Sequence, residues 1–98
     1  MKKVITMFFL TESRIVRSVM PEVVPPDLGK RELDYELSLI ESKKLLMAYS
    51  IVGGRGSFML WDVASNDEMN KILTGFPMFK YLEYKVTPVV LHPCFAKK

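Results

Sequence analysis

At 98 residues and 49% hydrophobic content, the chain holds enough apolar material for one core and leaves no length for a second. Its 14 basic and 11 acidic residues are interleaved to a formal charge of +3, without the basic stripe and interleaved aromatics of a nucleic-acid surface. The single cysteine, Cys94, excludes an internal disulfide, and with the single histidine, His92, it makes neither a metal site nor a nucleophilic triad.

Residues 3–10, KVITMFFL, are β-branched and aromatic and apolar at both parities, which predicts a strand apolar on both faces that stops after Leu10, where Thr11-Glu12-Ser13 begins. The apolar run 4–10 is short for a signal peptide, no small-residue cleavage site follows it, and no other stretch reaches transmembrane length. A cytoplasmic protein with no membrane partner is therefore expected. Residues 12–28 carry Ile15, Val16, Val19 and Met20 at helical spacing, but Pro21, Pro25 and Pro26 forbid a continuous helix, so an irregular arm is expected. Asp27 is placed to cap a helix running to about Lys44. Leu33, Leu37 and Ile40 form its expected core stripe, with Glu32, Glu36 and Lys43 on its polar side.

A second strand is expected over 45–52, a Gly-rich hairpin turn over 53–56 and a third strand over 57–63. Ser65 and Glu68 have capping-box spacing, and Asp67 adds negative charge at the positive end of the helix dipole. Met69, Ile72, Leu73 and Phe76 then fall on one helical face, which Gly75 and Pro77 bring to a stop. A last strand spans 81–91, and the tail 89–98 keeps enough apolar residues to reach a neighbour.

This order, strand–helix–strand–strand–helix–strand, is the ferredoxin-like βαββαβ pattern of an α+β domain: an antiparallel sheet with both helices on one face. The first and third strands carry large apolar groups at both parities, so the other face also needs cover. A second copy of the same sheet supplies it, giving an isologous homodimer.

The segment 61–93 carries a longer pattern. It holds Trp61-Asp62-Val63 at a strand end, Ser65 to Glu68 at a helix start, Pro77-Met78-Phe79, Tyr81, Glu83, Val86-Thr87-Pro88 and His92-Pro93. In this order and without gaps, these residues resemble the muconolactone delta-isomerase family; the first half of the chain matches mainly in layout. The resemblance implies a dimeric α+β barrel of ferredoxin-like subunits, able to assemble into decamers. It also implies a role in aromatic catabolism, the shift of a carbon–carbon double bond in a muconolactone. That chemistry is a proton shuttle through a dienolate. It needs a carboxylate or imidazole as acid and base and donors for the enolate oxygen, and no metal or organic cofactor.

The second strand departs from the family. It reads LLMAYSIV over 45–52, where the family carries Trp, Arg and His, and Asn70 and Lys80 stand where the family has His and Pro. Counting back from that strand, Glu32 falls where the family has an acidic residue, which makes it the candidate base; its other reading is a solvated first-turn carboxylate. His92 matches within a His-Pro pair, as a proton carrier or a subunit contact. Tyr49, Arg55 and Tyr81 are candidate substrate-binding donors, or else half-buried aromatics and a hairpin-tip charge.

Three functions are compatible with these residues. The first is cofactor-free proton transfer on a small lactone or organic acid. The second is cofactor-independent monooxygenation on the same architecture, which an apolar second strand suits. The third is a non-catalytic oligomeric module that binds a small apolar ligand or a protein. A pocket around a desolvated Glu32 would favour an enzyme.

Overall fold

The structure is a computed structural model, and it describes residues 7–96. Its elements are β1 (Met7–Ile15), α1 (Leu28–Glu41), β2 (Leu45–Ser50), β3 (Gly56–Val63), α2 (Asn66–Thr74), β4 (Leu82–Val89) and a short α3 (Pro93–Ala96). Single 3-10 turns at Arg17–Val19 and Phe79–Tyr81 precede α1 and β4. The strands form one sheet in the order β2-β3-β1-β4, with every neighbouring pair antiparallel. This is the expected ferredoxin-like arrangement. No helix of the described residues is long and apolar enough to cross a membrane.

β1 runs five residues beyond Leu10, the end expected from composition. Residues 3–6 of that expected strand lie outside the described residues. The polar run after Leu10 continues the strand because it alternates. Thr11 and Ser13 are buried beneath the helices, while Glu12 and Arg14 pair on the other face, Nε to Oε2 at 2.8 Å. The irregular segment therefore begins after Ile15. It is tied down where the Val16 N–H donates to the carbonyl of Tyr81 at 2.8 Å.

The core lies between the sheet and α1 and α2. Trp61 is fully buried at its centre, and its indole N–H donates to Thr11 Oγ1 at 2.9 Å, so the polar edge of the ring is satisfied inside the core. Met69, Ile72 and Leu73 of α2 and Phe76 just beyond it close over Trp61, as the spacing predicted. At the start of α2 the Ser65 hydroxyl accepts from the Glu68 N–H at 3.1 Å. The Glu68 carboxylate accepts from the Ala64 N–H at 2.6 Å and pairs with Lys44 at 2.9 Å. Two orphan amides at this terminus are thus satisfied by side chains.

The rotation of α1 differs from expectation. Leu33, Leu37 and Ile40 are 53, 51 and 50% exposed, and the inward stripe is Leu28, Glu32, Tyr35, Glu36 and Leu39. A helix buries one stripe roughly 100° wide, so only one of the two sets can face the sheet. Tertiary contacts decide. Leu28 and Leu39 are buried, and the Tyr35 hydroxyl donates to the Ile72 carbonyl at 2.7 Å with its ring edge-on to Phe76 at 4.8 Å. Gly75 makes this approach possible, because a Cβ there would collide with the Tyr35 hydroxyl. Asp27 does not cap α1 with its side chain; its carboxylate accepts instead from Arg31 Nε at 3.0 Å.

α1 ends through Lys43, whose φ of 64° is left-handed. β2 stops at Ser50, and Gly53 and Gly54, with φ of 106° and 75°, make the hairpin turn that the Gly-rich run predicted. On the outer face of the sheet, Leu10 stands opposite Leu60, and Met47 stands opposite Leu60 from the other side. Leu10, Phe58 and Met47 there are 38, 39 and 46% exposed, since α1 and α2 cover only the opposite face.

Candidate functional site

The inward rotation of α1 carries two carboxylates over one end of the sheet. Together with the sheet they border a half-open cavity of about 180 Å³. Glu32 and Glu36 line one wall. Ser13 of β1, Ser50 of β2, Ser57 and Met59 of β3 and Tyr84 of β4 line the floor, and Phe76 and Met78 close the side. Strand alternation puts the floor residues on a common face, since Ser13 stands opposite both Ser57 and Tyr84. The Ser13 and Ser57 hydroxyls are 3.0 Å apart.

Glu32 is half-buried, and its Oε1 accepts from the Met78 backbone N–H at 3.0 Å. Burial raises its pKa above the ordinary glutamate value; the Met78 amide pulls the other way, and the charge of Glu36 adds to the rise. Burial likewise pushes the Glu36 carboxyl up. The Tyr84 phenol is driven strongly upward by burial and then by the charges of Glu32, Tyr35 and Glu36, so it stays protonated and able to donate. Burial also raises Tyr35, with Glu32 adding to the shift. The cavity thus combines a desolvated carboxyl of raised basicity with phenol and hydroxyl donors. Such a set can take up a proton, hold it and return it, while the donors face an oxygen that gains negative charge.

Of the residues singled out from sequence, Glu32 lines this cavity. Tyr49 points from the outer face of β2 and is 63% exposed. Arg55 is exposed at the hairpin tip; its carbonyl accepts from the Ile15 N–H at 2.8 Å, and its neighbours Gly54 and Gly56 border the cavity. Tyr81 is buried in the turn before β4, with Lys80 Nζ 5.3 Å from its ring centroid. His92 lies across the sheet from Glu32, in an outer-face groove of about 360 Å³ shared with Phe8, Leu46, Leu60 and Val89. Its Nδ1 accepts from the Cys94 N–H at 3.2 Å and is 3.1 Å from Cys94 Sγ. Within one chain, Glu32 and His92 are therefore not brought together.

Sequence reasoning missed Glu36, Tyr84 and the floor serines. Two signals were present. Glu36 is one turn from Glu32, and Tyr84 shares its parity in β4 with Leu82 and Val86.

Comparison with known proteins agrees with this architecture. The family model described as muconolactone delta-isomerase matches residues 7–94. The muconolactone delta-isomerase of Cupriavidus pinatubonensis is 35% identical over 74 residues, covering 76% of this chain and 80% of that protein. Muconolactone delta-isomerase 1 of Acinetobacter lwoffii is 38% identical over 74 residues, covering 76% and 77%. Among solved structures, a muconolactone isomerase superposes with a TM-score of 0.78 at 20% identity, over 89% of this chain and 92% of the other. The 5-chloro-2-hydroxyhydroquinone dehydrochlorinase of Burkholderia phenoliruptrix, in complex with 2,5-dihydroxybenzoquinone, superposes with a TM-score of 0.64 at 20% identity, over 91% and 98%. The cavity belongs to a chain that matches one family model from Met7 to Cys94 and relatives above 30% identity over three-quarters of its length: this protein belongs to the muconolactone delta-isomerase family.

Proposed function

We propose that the chain catalyses a cofactor-free double-bond shift in a small unsaturated lactone, with Glu32 as the proton carrier. The observation that carries this reading is the placement of Glu32, half-buried on the cavity wall and oriented by the Met78 N–H. The Glu32 carboxylate takes a proton from a ring carbon acidified by the lactone carbonyl. The electron pair delocalises into a dienolate, and the carboxylic acid so formed returns the proton at the other end of the conjugated system. Tyr84 and the Ser13–Ser57 hydroxyl pair supply donors for the enolate oxygen. Partial burial helps by raising the basicity of the Glu32 carboxylate.

The non-catalytic module and the monooxygenase draw less support. The polar groups converging on the cavity match proton transfer, and a desolvated carboxylate is costly in a site that merely binds. His92, Tyr49, Arg55 and Tyr81 act in this chain's own cavity only if another copy brings them there.

The experiment is an isomerisation assay on muconolactone and on an unsaturated γ-lactone lacking its carboxymethyl group, followed by the ultraviolet absorbance of the conjugated lactone. Turnover by the wild type should fall by about 10²–10⁴-fold in Glu32→Gln. Equal activity in the two proteins, or none in either, would sink the reading.

The same proposal includes self-association in the cytoplasm. The outer sheet face, with Leu10, Phe58 and Met47 partly exposed around Leu60, is apolar enough to pack on the same face of a second copy. The second apolar stripe, Leu33, Leu37 and Ile40 of α1, offers a further contact through which such dimers could build the decamer that the family resemblance implies.

A further inference from the structure

The charge balance of the cavity bears on which lactone it takes. Glu32 and Glu36 lie one helical turn apart on its wall, and among the described residues no Lys, Arg or His lines it. The cations of α1 are engaged with other partners: Lys30 with Asp34 at 2.8 Å and Arg31 with Asp27 at 3.0 Å. Lys44 pairs with Glu68 at the start of α2, and Arg14 pairs with Glu12 on the outer face of the sheet. Arg55 is exposed at the hairpin tip, although its glycine neighbours border the cavity. Muconolactone carries a carboxymethyl group that is ionised at neutral pH. Inside this cavity it would add a third carboxylate to two that burial already disfavours, with no cation among the described residues that line it.

We propose that Glu36 determines the specificity of the site, setting it to an uncharged unsaturated γ-lactone in preference to one bearing a carboxylate. This rests on the proton-transfer reading of Glu32 for the reaction, and Glu36 adds to it the substrate class. The step balances without a co-reactant. The C–H bond at the ring carbon distal to the carbonyl, acidified through the conjugated double bond, breaks as the Glu32 O–H forms. The dienolate then collapses as a C–H bond forms next to the carbonyl and the O–H breaks, with no leaving group and no change of oxidation state.

The test uses β-angelica lactone, an uncharged γ-lactone with the same ring double bond as muconolactone, and muconolactone, each assayed with the wild type and Glu36→Gln after subtraction of the uncatalysed rate. Glu36→Gln should lower the ratio of kcat/KM for β-angelica lactone over muconolactone by about tenfold or more, chiefly through a lower KM for muconolactone. An unchanged ratio overturns the proposal, as does a wild type that prefers muconolactone. Binding keeps it testable where turnover fails. Calorimetry with two saturated, unreactive lactones, γ-valerolactone and its carboxymethyl counterpart, should show tighter binding of the uncharged one to the wild type, and that preference should narrow in Glu36→Gln. Failure of turnover alone therefore counts against the reaction, whereas equal binding, tighter binding of the acid or no binding counts against the specificity.

Discussion

Glu32 is the residue on which the proposed chemistry turns, and its surroundings set a pH dependence with a definite sign. Burial, and then the charge of Glu36, lift its pKa above the ordinary 4.5, against the pull of the Met78 amide. The proposed reaction needs the carboxylate, so kcat/KM should rise with pH as Glu32 ionises, with a midpoint above 4.5. Tyr35 on the same helix and Tyr84 from β4 face this carboxyl as well, and both stay protonated across that range, so the rising limb belongs to the carboxyls. Glu36→Gln removes the neighbouring charge and should move the midpoint downward, read from pH–rate profiles of the two proteins. Stability follows the same shifts in the opposite sense. The raised pKa values of Glu32 and Glu36 contribute stability below 4.5 that is lost as pH rises through those values, whereas the lowered pKa of Glu68 contributes above 4.5 and is lost as pH falls. Glu36→Gln should accordingly raise the urea midpoint at neutral pH. Tyr84→Phe keeps the ring and removes the donor, so kcat should fall by about 10²-fold with little change in the folded state.

At the scale of elements, α1 and α2 show what is legible in a sequence and what is not. α2 announces itself because its signals are local. Ser65 and Glu68 cap it, and Met69, Ile72, Leu73 and Phe76 leave one apolar face to bury. α1 carries two competing stripes, and the more apolar one, Leu33, Leu37 and Ile40, is the one that faces away from the sheet. The rotation is chosen by partners distant in sequence, Ile72 and Phe76, which receive Tyr35. The candidate site was hidden for the same reason. Glu32 could be found by its offset from β2, but the cavity exists only when β1, β2, β3, β4 and α1 meet. The corrected rotation has a measurable consequence. Leu39→Ala should cost about 2–4 kcal/mol in urea unfolding, because it empties a buried site. Leu33→Ala, at a position 53% exposed, should cost under about 1 kcal/mol. Gly75→Ala should be destabilising by about 1–3 kcal/mol, since its Cβ would displace the Tyr35 hydroxyl from the Ile72 carbonyl.

At the scale of the whole molecule, the sheet divides two kinds of surface. One face carries the helices and the cavity. The other presents Leu10 against Leu60, with Thr87 beside Leu10 from β4 and Met47 beside Leu60 from β2. The carboxylate of Asp62 on that same side has one buried oxygen, Oδ1, without a hydrogen-bond partner among the described residues. Among the described residues α1 and α2 both lie on the opposite side of the sheet and leave this face partly exposed, and a second sheet of the same sequence matches it in area and polarity. Leu60→Lys tests this directly. Leu60 belongs to β3, an interior strand of the sheet, and it is partly exposed. A lysine there can keep its ammonium in water in the monomer, but in a face-to-face pair it would be buried near its symmetry mate. The variant should keep the circular-dichroism spectrum of the folded chain while its mass by light scattering drops to that of one subunit. A variant of unchanged mass would move the interface away from this face and leave the exposed stripe of α1 as the surface through which copies meet, whereas a wild type that is already monomeric would overturn the pairing altogether.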